Sequence, residues 1–220
     1  MIAENLASIR QQTPQHVTLV AVSKTKPNEA ILQAYGAGQR IFGENRVQEL
    51  QDKQPALPKD IEWHMIGHLQ SNKVKYIAPF VRLIHGVDSF KLLKEINKQA
   101  AKNERIIDCL LQFHIATEST KFGLSLEEAQ ELLASQEFQD LANARIVGVM
   151  GMATFTSDQN LVRNEFSSLK SIFDELKSRF FADHPSFKTI SMGMSGDFQL
   201  AIEEGSTMVR VGSSIFGARG

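Results

Sequence analysis

Short apolar runs and amphipathic stretches alternate along this chain, and the alternation repeats eight times. We expect strands over 17–23, 40–45, 61–67, 81–88, 106–116, 144–152, 187–195 and 208–217. Helical patterns lie between these runs, and the longest covers 159–180. Strands that alternate with helices form parallel sheets, because parallel neighbours need a crossover connection. Eight such units predict a (β/α)8 TIM barrel.

No linker rich in Pro, Gly or Ser and no shift in composition divides the 220 residues. We therefore expect a single barrel domain over 1–220. A doubly wound open sheet is the alternative architecture. That fold binds its ligand near one switch point, whereas a barrel collects site residues from many strand ends.

Glycine, hydroxyl and charged residues lie at the C-terminal end of every predicted strand. The segments are "KTK", "GENR", "HMIGHLQSNK", "HGVDS", "FHIATESTKFG", "GMATF", "GMSGDF" and "RVGSSIFGAR". An open sheet would leave plain loops at most of these points. The pattern favours a barrel with one site on its C-terminal face.

Composition excludes several classes of partner. A net charge of −1 gives no basis for nucleic-acid or membrane-surface binding. The N-terminus lacks the apolar core of a signal peptide, and no apolar run approaches the roughly 20 residues of a membrane span. The lone cysteine, Cys109, rules out an internal disulfide, and its apolar surroundings predict a packed thiol. These features predict a cytoplasmic protein.

In "LVAVSKTKP" an apolar strand ends on Lys24. A buried ammonium is rare unless it is paired or used, and a desolvated lysine can form a Schiff base with a carbonyl. For any single lysine the commoner arrangement is a strand-end ammonium that reaches solvent. Lys26 competes for the same role. It shares the face of Lys24 by alternation but lies further out, beside Pro27, so we favour Lys24.

The last two loops combine small residues with hydroxyls: Ser195 and Gly196 in "SGD", and Gly212 and Ser213 in "GSS". Such residues let backbone N–H groups approach an anion closely. In barrels the loops after strands seven and eight often hold a phosphate. The alternative is a pair of ordinary turns, with Ser195 capping the next helix.

In "MVRVG" a period of two places Arg210 opposite Val209 and Val211. The valines suit the surrounding helices, so Arg210 should point into the barrel near its C-terminal face. An inward arginine needs a partner such as a ring nitrogen or a phosphate, and a structural salt bridge is the alternative. An inward lysine, a phosphate cradle and an inward arginine together describe a pyridoxal phosphate site.

The segments "AVSKTKP", "FGENRVQE", "WHMIGHLQSNK", "STKFG", "MGMSGDF" and "VRVGSSIFGAR" resemble, in order, landmarks of the pyridoxal phosphate homeostasis proteins, also called proline synthetase co-transcribed homologues. The resemblance covers nearly the whole chain. It implies a barrel like the N-terminal domain of alanine racemase, with Lys24 as the cofactor lysine. It also places the following residues near the cofactor: Asn45, Ser195, Arg210, Gly212 and Ser213.

Two positions stay unassigned by the resemblance. The family usually has Asn where this chain has His114. Lys121 in "STKFG" matches a family lysine near the site mouth, and a solvated loop lysine is the alternative.

Racemisation needs an acid or base on each face of the substrate's α-carbon. In the racemases that this family resembles, the second base is a tyrosine from an appended β-domain. The sequence ends at Gly220, directly after strand eight, so we expect no such domain here. Tyr35 and Tyr76, the chain's two tyrosines, lie in or beside helical stretches away from the predicted site. Arginine at the ring nitrogen also weakens the cofactor as an electron sink.

We therefore expect a non-catalytic, monomeric protein of vitamin B6 homeostasis. It would store pyridoxal 5'-phosphate or deliver it to apo-enzymes. A weak amino-acid racemase is the alternative function. A phosphosugar enzyme that uses Lys24 on the same barrel is a third.

Two other motifs carry less weight. His64 and His68 are four residues apart, but "IEWHMIGH" reads as a strand and no third metal ligand follows. We expect both to face inward as core or supporting histidines, with no bound metal. Asp108, within "IIDCLL", should be paired in the barrel wall.

Overall fold

A computed structural model describes residues 1–117 and 122–218. Eight parallel strands close into a barrel in chain order, and the last strand pairs with the first. The strands are β1 (Thr18–Val22), β2 (Ile41–Glu44), β3 (Glu62–Met65), β4 (Leu83–Val87), β5 (Ile107–Gln112), β6 (Ala144–Met150), β7 (Thr189–Met194) and β8 (Met208–Val211). The predicted barrel is confirmed, and the open sheet is excluded because β1 pairs with both β2 and β8.

Helices precede β1 and follow every strand. In the described ranges they are α1 (Ile2–Gln11), α2 (Asn28–Gly36), α3 (Val47–Lys53), α4 (Val74–Ile77), α5 (Phe90–Lys102), α6 (Leu126–Ala134), α7 (Gln136–Gln139), α8 (Gln159–Phe180), α9 (Phe198–Glu203) and α10 (Ser213–Phe216). Short 3-10 turns cover Gln54–Ala56 and Ser71–Lys73. None of the helices in these ranges has the length and apolar character needed to cross a membrane.

Local signals account for several helix starts. The Ser89 hydroxyl accepts a hydrogen bond from the Leu92 amide at the start of α5. Ser125 and Glu128 form a reciprocal capping box at the start of α6, as their spacing predicts. The predicted last strand is too long, because its second half is the helix α10. Gly212 separates the two elements.

Alternation along the strands divides the core into two layers. One lies between the strands and the helices, and the other fills the barrel interior. The interior cluster consists of Val20, Leu83, Leu110, Val147, Met150 and Met208. Val209 and Val211 belong to the outer layer, so β8 has the predicted orientation.

Asp108 is paired at the N-terminal end of the barrel, as expected. Its carboxylate accepts from Arg145 Nε at 2.7 Å and lies 3.4 Å from Arg82 Nη1. Cys109, next to it, is fully buried, and burial raises the pKa of its thiol far above the ordinary value. The thiol is therefore a packing group, as predicted.

Candidate functional site

A cavity of about 440 Å³ opens at the C-terminal ends of the strands. Loops that follow β1, β2, β6, β7 and β8 contribute to its lining. All seven residues singled out as cofactor contacts line it: Lys24, Asn45, Ser195, Gly196, Arg210, Gly212 and Ser213. The closed barrel thus brings together residues that are up to 189 positions apart in the chain (24 to 213).

Lys24 lies on a turn rather than on a strand. β1 ends at Val22, and the Lys26 amide donates to the Ser23 carbonyl at 3.0 Å, so Lys24 and Thr25 are the central residues of a tight turn. Thr25 has φ of 63°, in the left-handed region. The prediction that alternation places both lysines on one strand face is therefore wrong. Both still line the cavity, and Lys24 is half-buried.

Lys26 has a backbone partner. Its Nζ donates to the Ala218 carbonyl at 3.0 Å, next to the cavity lining at Gly217. This contact ties Lys26 to the chain segment that follows α10.

Arg210 points into the barrel, as predicted, and is only 3% exposed. Nη1 donates to Ser191 Oγ at 2.6 Å, and Nη2 donates to the Gly151 carbonyl at 3.3 Å. Burial lowers the pKa of Arg210 to about 10, with an opposing attraction from Asp197, so the guanidinium stays charged at neutral pH. Over the described residues it forms no salt bridge, so the alternative interpretation, a structural ion pair, is not observed.

Ser195 joins the last two loops. Its Oγ accepts from the Gly212 amide at 3.1 Å and from the Ser214 amide at 3.5 Å. It does not cap α9, whose N-cap residue is Asp197. A methyl group on Gly196 would have no heavy atom within 4 Å, so the backbone there is open to a ligand. Ser195 therefore links the two loops and is not the cap of the helix that follows it.

Two buried histidines lie below Arg210 in the barrel. His85 Nδ1 lies 2.9 Å from Ser191 Oγ, and His85 Nε2 lies 3.0 Å from His64 Nδ1. Burial lowers the pKa of His64 to about 3 and that of His85 well below its usual value, so both rings are neutral. His85 therefore hydrogen-bonds to Ser191 through one ring nitrogen and to His64 through the other, and its tautomer sets the direction of both bonds.

His64 faces inward as predicted, but the prediction for His68 is wrong. β3 ends at Met65, so the strand alternation does not reach His68. The His68 ring is exposed, stacks on Phe122 at 4.5 Å and lies 3.4 Å from an Asp88 carboxylate oxygen. No cluster of three or more potential metal ligands occurs within 1–117 or 122–218.

The sequence places "GMATF" at a strand end, but it gave no role to the cavity wall that Thr154, Phe155 and Thr156 form after β6. Glu165, buried on α8, fixes this loop. Its carboxylate accepts from the Thr154 amide at 2.6 Å and from the Thr117 amide at 3.1 Å. An acidic residue within the apolar stripe of α8 was the available signal.

Several residues considered from the sequence lie elsewhere. His114 is exposed and outside the cavity lining. Tyr35 donates from Oη to Asp60 Oδ1 at 2.8 Å, and Tyr76 lies on α4, so neither tyrosine reaches the cavity, as expected. Lys121 lies outside the described residues.

Comparison with known proteins gives matches over the whole chain. Residues 1–220 match the family described as "Alanine racemase, N-terminal domain". A pyridoxal phosphate homeostasis protein of Aquifex aeolicus is 42% identical over 202 residues, covering 91% of this chain and 86% of the relative.

Solved structures agree with this match. PipY of Synechococcus elongatus, solved without pyridoxal phosphate, is 37% identical with a TM-score of 0.92, and the match covers 99% of this chain and 100% of PipY. PipY with pyridoxal phosphate bound has a TM-score of 0.88. Alanine racemase of Bartonella henselae is 18% identical with a TM-score of 0.73. That match covers 99% of this chain but 58% of the racemase, and it shows the shared barrel fold alone.

Proposed function

Since this chain belongs to the alanine racemase N-terminal domain family, and within it to the pyridoxal phosphate homeostasis proteins, we propose that it binds pyridoxal 5'-phosphate and maintains the cell's supply of that cofactor. The observation that carries the proposal is the convergence of Lys24, Arg210 and the Ser195 loop on one cavity.

The residues present fit this cofactor. Arg210 is buried, its hydrogen-bond partners are neutral, and the attraction from Asp197 does not amount to a salt bridge, so its charge can act on a ligand in the cavity. An amine that could react with an aldehyde lies in the same cavity, as do two loops with hydroxyls and an open glycine backbone. The volume of about 440 Å³ suits one small ligand.

We assign each group of residues to one part of the cofactor. Lys24 is the covalent anchor: its nitrogen bonds to the aldehyde carbon as a Schiff base, and the aldehyde oxygen leaves as water. Arg210 faces the ring nitrogen. The phosphate is held by Ser195, Gly196, Gly212 and Ser213. Asn45 lines the wall next to the ring.

Pyridoxal phosphate, when bound in enzymes, withdraws electrons from an amino acid's α-carbon. The residues of this cavity work against that use. The charged Arg210 disfavours a proton on the ring nitrogen. Neither tyrosine lines the cavity, and the amine of Lys26 is bound to the Ala218 carbonyl. The carboxylate of the described lining, Asp197, accepts from the Met194 amide at 2.6 Å. The described residues thus offer little as a second base opposite Lys24, and we propose a carrier rather than a racemase.

The proposal includes delivery to apo-enzymes that depend on pyridoxal phosphate, with the protein acting as a monomer in the cytoplasm. Support for the monomer comes from the closed barrel, since each of its strands already pairs with two neighbours and leaves no sheet edge for a second copy.

One experiment tests both parts of the proposal. The protein is loaded with pyridoxal phosphate, its visible absorbance is recorded, and it is mixed with alanine while optical rotation and keto-acid formation are followed. A parallel sample receives an apo-enzyme that requires pyridoxal phosphate, and its recovery of activity is timed.

We expect a coloured protein, negligible turnover and transfer of the cofactor. Turnover at about 1–10³ s⁻¹, as in ordinary enzymes, would establish the racemase instead. A colourless protein after loading would remove the cofactor from the proposal and favour the phosphosugar enzyme. Lys26→Arg is the matched control, and it should load like the unmodified protein.

A further inference from the structure

A buried cluster of charges lies behind the turn that carries Lys24. Lys53, on α3, is 7% exposed, and Glu44, at the end of β2, is fully buried. Lys53 Nζ donates to Glu44 Oε1 at 2.8 Å, to Glu49 Oε2 at 2.8 Å and to the Ser23 carbonyl at 2.9 Å. An ammonium has three protons, so these contacts use them all.

The cluster forms hydrogen bonds with the residues on both sides of Lys24 in the turn. On one side, the Ser23 hydroxyl donates to Glu44 Oε1 at 2.6 Å, and the Ser23 carbonyl accepts from Lys53. On the other side, the Thr25 amide donates to Glu49 Oε2 at 2.8 Å. The charged residues themselves do not line the cavity. They act on the backbone next to Lys24.

The turn needs such support. Thr25 is β-branched and sits at φ of 63°, a backbone conformation that such residues seldom adopt. Strained residues of this kind persist only where surrounding contacts determine the backbone, and they concentrate at functional sites. The hydrogen bond that Glu49 accepts comes from the amide of Thr25, the strained residue itself.

Stability alone is a poor reason for the cluster. Removing charges from water is costly, and buried ion pairs can often be replaced by apolar residues without loss. Burial raises the pKa of Glu44 to about 7 despite Lys53 and Ser23, which both favour the charged form. Its second oxygen, Oε2, is buried and has no hydrogen-bond partner among the described residues. The contacts of the cluster are therefore better explained by a role in orienting the turn that carries Lys24 than by a contribution to the stability of the fold.

We propose that Glu44, Lys53 and Glu49 form a positioning cluster that holds the Ser23–Lys26 turn in its strained conformation and thereby presents the Lys24 amine to the cavity. The inference rests on the proposed function, because it requires that Lys24 reacts with the aldehyde of the ligand. The cluster should control how fast the aldehyde is captured. It should leave binding of the ring and phosphate nearly unchanged.

Two ligands separate these effects. Pyridoxal 5'-phosphate has the aldehyde, whereas pyridoxine 5'-phosphate carries an alcohol at that position and binds without a covalent bond. The capture rate is measured by stopped-flow absorbance, and the dissociation constant of pyridoxine 5'-phosphate by calorimetry. Circular dichroism and thermal unfolding check that each variant is folded.

The variants differ in how much of the cluster they remove. Glu49→Ala deletes the contact to Thr25 and keeps the Glu44–Lys53 pair. The double variant Glu44→Gln/Lys53→Met removes both buried charges together, so that neither is left unpaired. Asp52→Ala is the matched control, since Asp52 lies on the same helix, is exposed, and contacts Gln48 rather than the turn.

We expect the capture rate to fall at least tenfold in the double variant and severalfold in Glu49→Ala. The affinity for pyridoxine 5'-phosphate should stay within twofold, and Asp52→Ala should change neither value. An unchanged capture rate in both folded cluster variants would overturn the positioning role. So would an equal loss for both ligands. If the unmodified protein captures no aldehyde on Lys24, the proposed function itself fails. If it captures the aldehyde and the cluster variants do so equally fast, only the positioning role fails.

Discussion

Nδ1 of His64 lies 3.0 Å from Nε2 of His85 in the interior of the barrel, so two buried imidazoles share one hydrogen bond. Further hydrogen bonds connect His85 to Ser191, and Ser191 to Arg210 at the floor of the cavity. The His64–His85 hydrogen bond needs an acceptor nitrogen on one of the two rings, and a pair of imidazolium ions has none. The Arg210 guanidinium is therefore held by hydrogen bonds that depend on these histidines, and protonation of the histidines in acid should disrupt them.

Acid should destabilise the fold through these histidines. Their pKa values in the native protein are depressed, to about 3 for His64 and well below 6.5 for His85, while histidines of the unfolded chain titrate near 6.5. Between these values the unfolded chain binds more protons, so the free energy of unfolding falls as pH falls, by up to about 1.4 kcal/mol per pH unit for each histidine.

Glu44 opposes part of this effect. Its pKa is raised from 4.5 to about 7, so in that window the native state binds more protons and gains stability as pH falls. Two histidines outweigh one carboxyl below about pH 6. Urea unfolding at pH 7.5, 6 and 5 should show stability declining towards pH 5. His64→Gln should flatten the decline, and His68→Gln, at the exposed histidine, should not. A flat profile for the unmodified protein would contradict the buried neutral pair.

Borohydride reduction of the loaded protein should fix the cofactor on Lys24. Both lysines line the cavity, and Lys24 lies nearer the end of β1, deeper in the cavity wall by sequence position than Lys26. Peptide mapping by mass spectrometry identifies the modified residue. Lys24→Arg should abolish the adduct and Lys26→Arg should not. An adduct on Lys26 or on Lys121 would refute the assignment.

Ser195→Ala should weaken pyridoxal phosphate more than pyridoxal. The serine joins the two loops through the Gly212 amide, and a hydrogen bond to a charged group contributes roughly 1.5–3 kcal/mol, which corresponds to about 10–150-fold in affinity. Ser213→Ala should follow the same pattern. Titration with both ligands measures the difference, with the exposed Ser171→Ala as control. Equal losses for the two ligands would show that these loops do not hold the phosphate.

Gly67→Ala should disturb the cavity by displacing the backbone of Asn45, which lines it. A methyl group there would lie 2.3 Å from the carbonyl oxygen of Asn45 and 2.8 Å from its Cα, so the backbone of this cavity residue must move. We expect a severalfold loss of affinity for pyridoxal phosphate and a stability loss of about 1–3 kcal/mol.

Gly36→Ala is the matched control for that change. Gly36 lies in α2, and a methyl group would have no heavy atom within 4 Å, so stability should change by less than about 1 kcal/mol. Ligand titration and thermal unfolding measure both variants. Full affinity in Gly67→Ala would mean that the position of Asn45 is irrelevant to binding.

Much of the site follows from local periodicity. Arg210 could be placed inside the barrel because side chains alternate along any strand and its neighbours Val209 and Val211 are apolar. The strand ends could be located because glycine, hydroxyl and charged residues interrupt each apolar run. Closure of eight parallel units then directs those ends to one face, so these patterns predicted that Lys24, the Ser195 loop and Arg210 meet in one cavity.

Tertiary contacts decided the rest. The length of β3 depends on pairing with β2 and β4, so alternation misplaced His68, which lies beyond the last paired residue. The turn at Lys24 is held by Glu44, Lys53 and Glu49, which come from β2 and α3. His85 reaches Ser191 across 106 positions of sequence. The side that a residue faces along a strand follows from its position in the local alternation. The hydrogen-bond partner of a buried polar residue instead depends on which distant strand or helix the closed barrel brings within hydrogen-bond distance.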